Sequence, residues 1–338
     1  MRAAVSSGKE APVEELEALT ERIRERIEKM PAMNTVALKL LCVTSGDGYS
    51  FQEVADILAS DASLAARVLR LANSAYYGLP RRVESLGMAV SMIGVRALRR
   101  MVMNITTYDL LKVNLLGYGL EEGGLWAHSL AASLAAAELC DLIAYPHQEE
   151  MRLVALLHDV GKVVLSPFLE EAVEDREVLM AGGRAGLELE SELLGINHAE
   201  VGSLIADRWN LSPRFEEILR CHHAPEESAN LPRGTAIVNL ADTMVRELIR
   251  SEEPFKAVMG LDRAALRILH LTEADLLPHL VSINSRILEE IRQWTGEMME
   301  EEGAGEEPGA AEYRDEWEPL GWEEGELRPG KGGGKSAL

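Results

Sequence analysis

Apolar positions recur along this chain in steps of three and four almost from end to end. That is the pattern of helices that bury one face. Val13, Leu16, Leu19, Ile23, Ile27 and Met30 form such a stripe, and Pro31 ends it. A second helix is expected over 35–43, closed by Ser45-Gly46-Asp47-Gly48. Ser50 and Glu53 have the spacing of a capping box and open a helix over 51–59. Helices follow at 61–73, 85–93 and 95–112, broken at Asn73-Ser74 and at Tyr77-Gly78-Leu79-Pro80. Beyond a glycine-rich joint at 118–124, the periodicity predicts helices at 125–143, 149–158, 186–194, 198–209, 213–222 and 232–250, with one or two more over 261–296. Ser212 with Pro213 reads as an N-cap followed by an N1 proline. No alternating run of five residues suggests a strand. The expected fold is all-α and two-lobed. An N-terminal helix (1–30) precedes a helical lobe (31–118), then a second lobe with closing helices (119–296) and an acidic tail (297–338).

Composition narrows the classes. The 338 residues are 47% hydrophobic, enough for a sizeable core, and contain no run that would span a membrane. The N-terminus lacks the apolar segment of a secretory signal. Cys42, Cys140 and Cys221 are far apart and form no CxxC, which suits reduced thiols in a cytoplasm; Cys221 alone stands beside histidines. Net charge is −22, and aromatics are only 5%, which argues against a chain built to grip nucleic acid or an anionic membrane. The tail is acidic and turns Gly/Glu/Pro-rich after Gly303, a composition expected to stay disordered. Trp317, Leu320 and Trp322 inside it have the makings of a short docking peptide. Against this background Arg67, Arg70, Arg81, Arg82, Arg96, Arg99 and Arg100 make a local basic region. Its members Arg81, Arg82, Arg96, Arg99 and Arg100 are a candidate face for an acidic protein partner.

The chemistry concentrates in the second half. His128, the pair His158-Asp159, His198, the pair His222-His223 and Asp242 fall on separate predicted helices. Imidazoles with carboxylates suit borderline divalent metals: iron, manganese, zinc or cobalt. An adjacent His-Asp at a helix end can turn both side chains towards one ion, with the aspartate bridging to a second. Gly161 relaxes the turn that follows, and Lys162, the candidate catalytic residue, can place an ammonium beside a phosphate. His147, His270 and His279 stand apart and read as ordinary surface or packing residues.

These residues resemble the HD superfamily of metal-dependent phosphohydrolases. In the first half, Met30-Pro-Ala-Met, the run Asp61 to Gly78 with Asn73-Ser74, Ser85-Leu-Gly-Met-Ala-Val-Ser-Met and the turn Ile93-Gly94-Val95 narrow the resemblance. So do Leu157-His-Asp-Val-Gly-Lys, Asn197-His-Ala-Glu-Val-Gly, Arg208-Trp-Asn-Leu and His222-His-Ala-Pro in the second. Over residues 28–250 the chain looks like the HDOD (HD-related output domain) family of bacterial signalling proteins. The resemblance implies an N-terminal helical lobe joined to an HD-like bundle, and a regulatory output module working through signalling-protein partners. By matching station, it implies one metal on His128, His158, Asp159 and Asp242, and a second on His198, His222 and His223 with Asp159. Asn73, Ser74, Gly94 and Gly161 are expected as structural motif residues, and Tyr76 and Tyr77 as packing at the lobe junction. The alternative is a metal-dependent phosphohydrolase acting on cyclic dinucleotides or nucleotides. The nearby HD-GYP family hydrolyses cyclic di-GMP, but here Ala224-Pro225-Glu226-Glu227 leads on from His222-His223 without a Gly-Tyr-Pro segment.

Overall fold

The structure is a computed structural model; it describes residues 13–303 apart from 45–47, 75, 173–177, 180–181 and 252–253. The acidic segment with Trp317, Leu320 and Trp322 lies outside the described residues. Among those residues the fold is helical throughout, with one isolated antiparallel bridge between Leu115 and Leu120. The first lobe is built from α2 (Thr35–Thr44), α3 (Phe51–Ala59), α4 (Ala62–Ala72), α5 (Leu86–Ile93) and α6 (Val95–Leu111). The second comprises α7 (Gly124–Leu142), α8 (Gln148–Leu157), α9 (Gly161–Ala172), α10 (Gly183–Leu194), α11 (His198–Arg208), α12 (Pro213–Cys221) and α13 (Pro232–Ser251). Helices α14 (Pro254–Met259), α15 (Arg263–Leu269) and α16 (Glu273–Gly303) close it, the last running past residue 296.

The opening helix α1 (Val13–Lys29) packs on α9, α10 and α11 of the second lobe. Helix C-termini leave carbonyls without partners. Here Arg208 donates to Glu28 O (2.6 Å) and Met30 O (2.7 Å), and the Trp209 indole N–H donates to Pro31 O (3.0 Å).

Helix α7 is the axis of the second lobe. It is apolar nearly all round, as a helix enclosed by others must be, and it packs against α6, α8, α13 and α16. Trp126 is fully buried on it, edge-on to Tyr108 of α6 at 5.1 Å. The expected joint at 118–124 is packed rather than loose: Tyr118 is buried at the end of a 3-10 turn and donates its hydroxyl to Glu190 (3.0 Å).

Helix α9 was not expected from periodicity. Pro167 lies inside it and deletes one backbone donor, the feature that argues against a helix in sequence. Packing compensates: the Ser166 hydroxyl accepts the Gly117 N–H (3.1 Å), and Val164, Leu165, Phe168 and Leu169 are buried. Ser50 caps α3 by accepting the Glu53 N–H, while the reciprocal capping box forms at Asn197 and Glu200.

Asn73 clamps the segment between α4 and α5. Its amide donates to Leu69 O (2.7 Å) and Val83 O (2.9 Å), and its carbonyl accepts the Val83 N–H (2.7 Å). Ser74 Oγ is buried with no hydrogen-bond partner among the described residues. Tyr76 reaches Glu290 on α16 (2.8 Å) and stands edge-on to Tyr77 at 4.7 Å, so the first lobe meets the closing helix there. Burial, with Glu290 beside it, pushes the Tyr76 phenol up to about 12. Gly94 joins α5 to α6 at φ +85°, a conformation that favours glycine.

Candidate metal centre

Three helix ends and two helix interiors deliver the chemistry to one place. His158 caps the C-terminus of α8, and Asp159 follows in the turn to α9. His198 opens α11, and His222-His223 follow α12. His128 projects from α7 and Asp242 from α13, the two helices that wall the pocket from behind. Gly161 makes the convergence possible. A Cβ there would stand 2.0 Å from His198 O and 2.9 Å from Gly202 N, so its role is close backbone approach between α9 and α11, beyond the turn freedom expected of it.

The side chains form two joined groups. His128, His158 and Asp242 make one, and Asp159, His198, His222 and His223 the other. Asp159 faces both: Oδ2 lies 3.3 Å from His158 Nε2 and 3.7 Å from His128 Nε2, while Oδ1 lies 3.3 Å from His198 Nε2 and 3.9 Å from His222 Nε2. Asp242 Oδ1 stands 3.2 Å from His128 Nε2 and 3.7 Å from His158 Nε2. The structure therefore brings all seven residues into one pocket, with Asp159 in the bridging position. His147, His270 and His279 lie outside both groups; His279 bonds Glu138 at 2.9 Å. Cys221 is buried beside His222 in sequence but belongs to neither group.

The histidine tautomers follow from their partners. Ala155 O at 2.7 Å and Leu219 O at 2.6 Å can only accept, so His158 and His222 carry protons on Nδ1 and turn Nε2 inward. Glu190 does the same for His198. Its carboxylate accepts the His198 Nδ1–H at 2.8 Å, the His198 backbone N–H at 2.6 Å and the Tyr118 hydroxyl. Sequence reading missed Glu190. Its signal was present: Gly186, Glu190 and Leu194 form the buried stripe of α10, and a carboxylate at an apolar station needs a partner.

A metal fits this donor set. His128 Nε2, His158 Nε2, His222 Nε2 and Asp159 Oδ1 are buried, converge on the pocket and have no hydrogen-bond partner among the described residues. Leaving each unsatisfied costs about 1–3 kcal/mol, which a shared cation removes. His198 Nε2 and His223 Nε2 are 3.0 Å apart. Two nitrogens held about 2.1 Å from one ion at roughly a right angle have that separation. The carboxylates also demand positive charge. Burial raises the pKa of Asp159 and Asp242, yet His158 and Lys162 around the first, and Arg246 and His128 around the second, hold both well below the usual range. Burial lowers His158, but Asp159 and Asp242 outweigh it and bring the ring up to about 10, so a cation binding at Nε2 would displace a proton from it. His222, buried and facing His158 and His198, falls to about 3. Lys162 Nζ sits 2.6 Å from Asp159 Oδ2, and Arg246 is 2.6 Å from Asp242 Oδ2.

Comparison with known proteins agrees with this geometry. The HDOD domain family profile matches residues 30–225. The chain belongs to the HDOD family. An HDOD domain protein of unknown function from Geobacter sulfurreducens is 25% identical, with TM-score 0.58, covering 80% of this chain and 98% of its own. A candidate signal transduction protein from Marinobacter aquaeolei VT8 superposes at TM-score 0.66 with 19% identity, over 84% of this chain and 66% of that one. A candidate phosphohydrolase from Shewanella amazonensis SB2B gives 0.62 with 20% identity, over 80% and 97%. An uncharacterized protein from Treponema pallidum (strain Nichols) is 24% identical over 251 residues, which are 71% of this chain and 46% of that protein, so this HDOD chain spans about half of its relative. No described helix is long and apolar enough to cross a membrane.

The basic face changes in extent. Arg81, Arg82 and Arg96 are exposed, but Arg99 and Arg100 turn to Glu149 of α8 at 3.2 and 3.3 Å, so the five-arginine face reduces to three. A carboxylate across the lobe junction captured the other two. Arg67 pairs with Asp109 at 2.6 Å.

Proposed function

We propose that this HDOD chain is a bacterial signal-transduction regulatory module, acting on signalling-protein partners from the cytoplasm and steadied by a divalent metal in its pocket. The observation that carries this reading is the burial of the donor set. His158 and His222 are 0% exposed, Asp159 and His198 1%, Asp242 2% and His223 3%. Lys162 and Arg246 further cover the two carboxylates. Such a pocket suits a metal that fixes the packing of α8, α9, α11, α12 and α13, whereas a phosphodiester substrate needs an open approach to the ion. His128, His158 and Asp242 would hold one ion; Asp159, His198, His222 and His223 a second. The exposed Arg81, Arg82 and Arg96 supply a surface for an acidic partner.

When bound, such an ion supplies Lewis acidity and concentrated positive charge. This chain's own residues set the tautomers, through Ala155, Leu219 and Glu190, and keep water out by burial. The test compares chelated and reloaded protein. Adding manganese, iron, zinc or cobalt raises the melting temperature, by the equivalent of about 2.7 kcal/mol at a hundredfold excess over Kd. His158→Ala with Asp159→Ala abolishes the rise and keeps the helical circular dichroism. Turnover of cyclic di-GMP by the loaded protein, lost in the double variant, would replace the regulatory reading with the phosphohydrolase.

A further inference from the structure

The junction between the lobes holds a second concentration of charge, of the opposite sign to the chain as a whole. Arg99, Arg100 and Asn104 come from α6, Ser133 from α7, and Glu149 and Arg152 from α8; together they line a cavity of about 20 Å³. Two of the three guanidinium groups there meet one carboxylate. Arg99 and Arg100 each bond Glu149, on its two different oxygens. Arg152 forms no ion pair or hydrogen bond with any described residue, although it is half-buried. The next carboxylate, Glu290, is engaged by the Tyr76 hydroxyl and the Trp294 indole N–H. Burial and the nearby Arg100 pull the Arg152 guanidinium below its ordinary range, against the opposing pull of Glu149 and Glu290. Asn104 and Ser133 are buried and line the same cavity.

Three guanidinium groups against Glu149 and the more distant Glu290 leave an excess of about one positive charge, and a half-buried arginine without an ion pair is a suitable lining for an oxyanion site. Arg is the residue suited to it, because its fork of N–H donors matches two oxygens at once. The cavity has room for one or two waters as it stands. The Glu149 carboxylate pairs with Arg99 and Arg100, where an incoming anion would bind. We propose that the lobe junction binds a phosphate-class oxyanion on Arg99, Arg100 and Arg152, and that Glu149 is the built-in competitor that swings out when the anion enters. Such an anion bridges α6 of the first lobe to α8 of the second. Arg152 lies six residues before His158 on one helix, about 9 Å along its axis. The anion site and the metal pocket are thus opposite ends of the same rigid element.

The experiment is calorimetric titration of the full chain with inorganic phosphate at fixed ionic strength in chloride. The protein is first stripped with chelator, so that phosphate on a pocket metal does not contribute. Saturable one-to-one binding is expected in the wild type. Glu149→Gln removes the competitor and tightens binding about tenfold, and Arg152→Gln weakens it by at least about tenfold. Arg100→Gln, at the more exposed edge of the cluster, gives the same weakening should the Arg152 variant fold poorly. A parallel titration with adenosine monophosphate separates the sources: equal affinity assigns free phosphate, and tighter binding that still depends on Arg100 assigns a nucleotide phosphate. Absence of saturable binding overturns the proposal, as does affinity unchanged in the arginine variants. Unchanged affinity in Glu149→Gln overturns the competitor role. The metal-dependent rise in melting temperature is independent of all these outcomes, so this site and the metal pocket fail separately.

Discussion

Gly161→Ala adds one methyl group, touches no ligand side chain, and is expected to dismantle the second metal group. The added Cβ would lie 2.0 Å from His198 O, 2.8 Å from His198 C and 2.9 Å from Gly202 N, all of them backbone. Ordinary contact begins near 3.4 Å, so α9 and α11 must part by roughly 1.4 Å, since a close-packed interior offers no slack. No rotamer change relieves a clash with main chain. Overpacking of this kind costs about 1–3 kcal/mol, and more when backbone must move. For a chain of this size, with an unfolding entropy of about 2 cal/mol/K per residue, 3 kcal/mol lowers the melting temperature by roughly 4–5 °C. The sharper effect is on His198, which rides on the displaced backbone. Its Nε2 now sits 3.3 Å from Asp159 Oδ1 and 3.0 Å from His223 Nε2. Ligand distances tolerate only about 0.2 Å, so the displacement takes His198 out of the set. The assay is elemental analysis of metal per chain beside thermal melts with and without chelator. The variant should melt lower, keep its helical signal and lose metal. A Gly161→Ala protein with wild-type melting temperature and metal content would refute the close-approach argument outright.

Glu190→Gln should weaken metal binding about 10- to 100-fold, as loss of a partner that orients a ligating histidine does, while leaving far-ultraviolet dichroism unchanged; unaltered metal affinity would remove Glu190 from that role. Asn73→Ala should cost about 1–2 kcal/mol in denaturant unfolding, because it deletes both sides of the clamp on Val83. Glu217 gives a pH signature. Burial raises its pKa, but donors from Asn230, Ser228 and Leu231 outweigh burial and bring it to about 2, below the ordinary 4.5. Its contribution is complete above pH 4.5 and is lost as pH falls through about 2. Glu217→Gln should therefore destabilise the protein at pH 7, with the gap to wild type closing between pH 4.5 and 2; a gap that is constant with pH would contradict the assignment.

The helices of the first lobe were legible from their apolar stripes; Ser50 accepts the Glu53 N–H as its spacing suggests, while Asp61 and Ser85, expected as the first helical residues, are the caps of α4 and α5. The seven pocket residues were legible because adjacent His-Asp and His-His pairs are uncommon and fall at helix ends. What escaped was set by tertiary contact. Helix α9 was hidden by Pro167, whose penalty is overridden by burial on both sides of it. Glu190 looks like any acidic residue in Glu188-Leu189-Glu190-Ser191 until His198 and Tyr118 are brought to it. The capture of Arg99 and Arg100 by Glu149 joins residues about fifty positions apart, which no local pattern encodes. The stripe on α1 foretold a buried face without saying which lobe would bury it.

That last contact has a mechanical side. Helix α11 begins with His198 in the pocket and ends with Arg208, with Trp209 next; these two grip the carbonyls of residues 28, 30 and 31. Eleven helical residues make a strut about 16 Å long. A displacement of α1 would be delivered to one end of that strut, and His198 of the candidate metal centre stands at the other. The opening helix and the pocket are thus tied through a single rigid element, although no described residue of α1 enters the pocket.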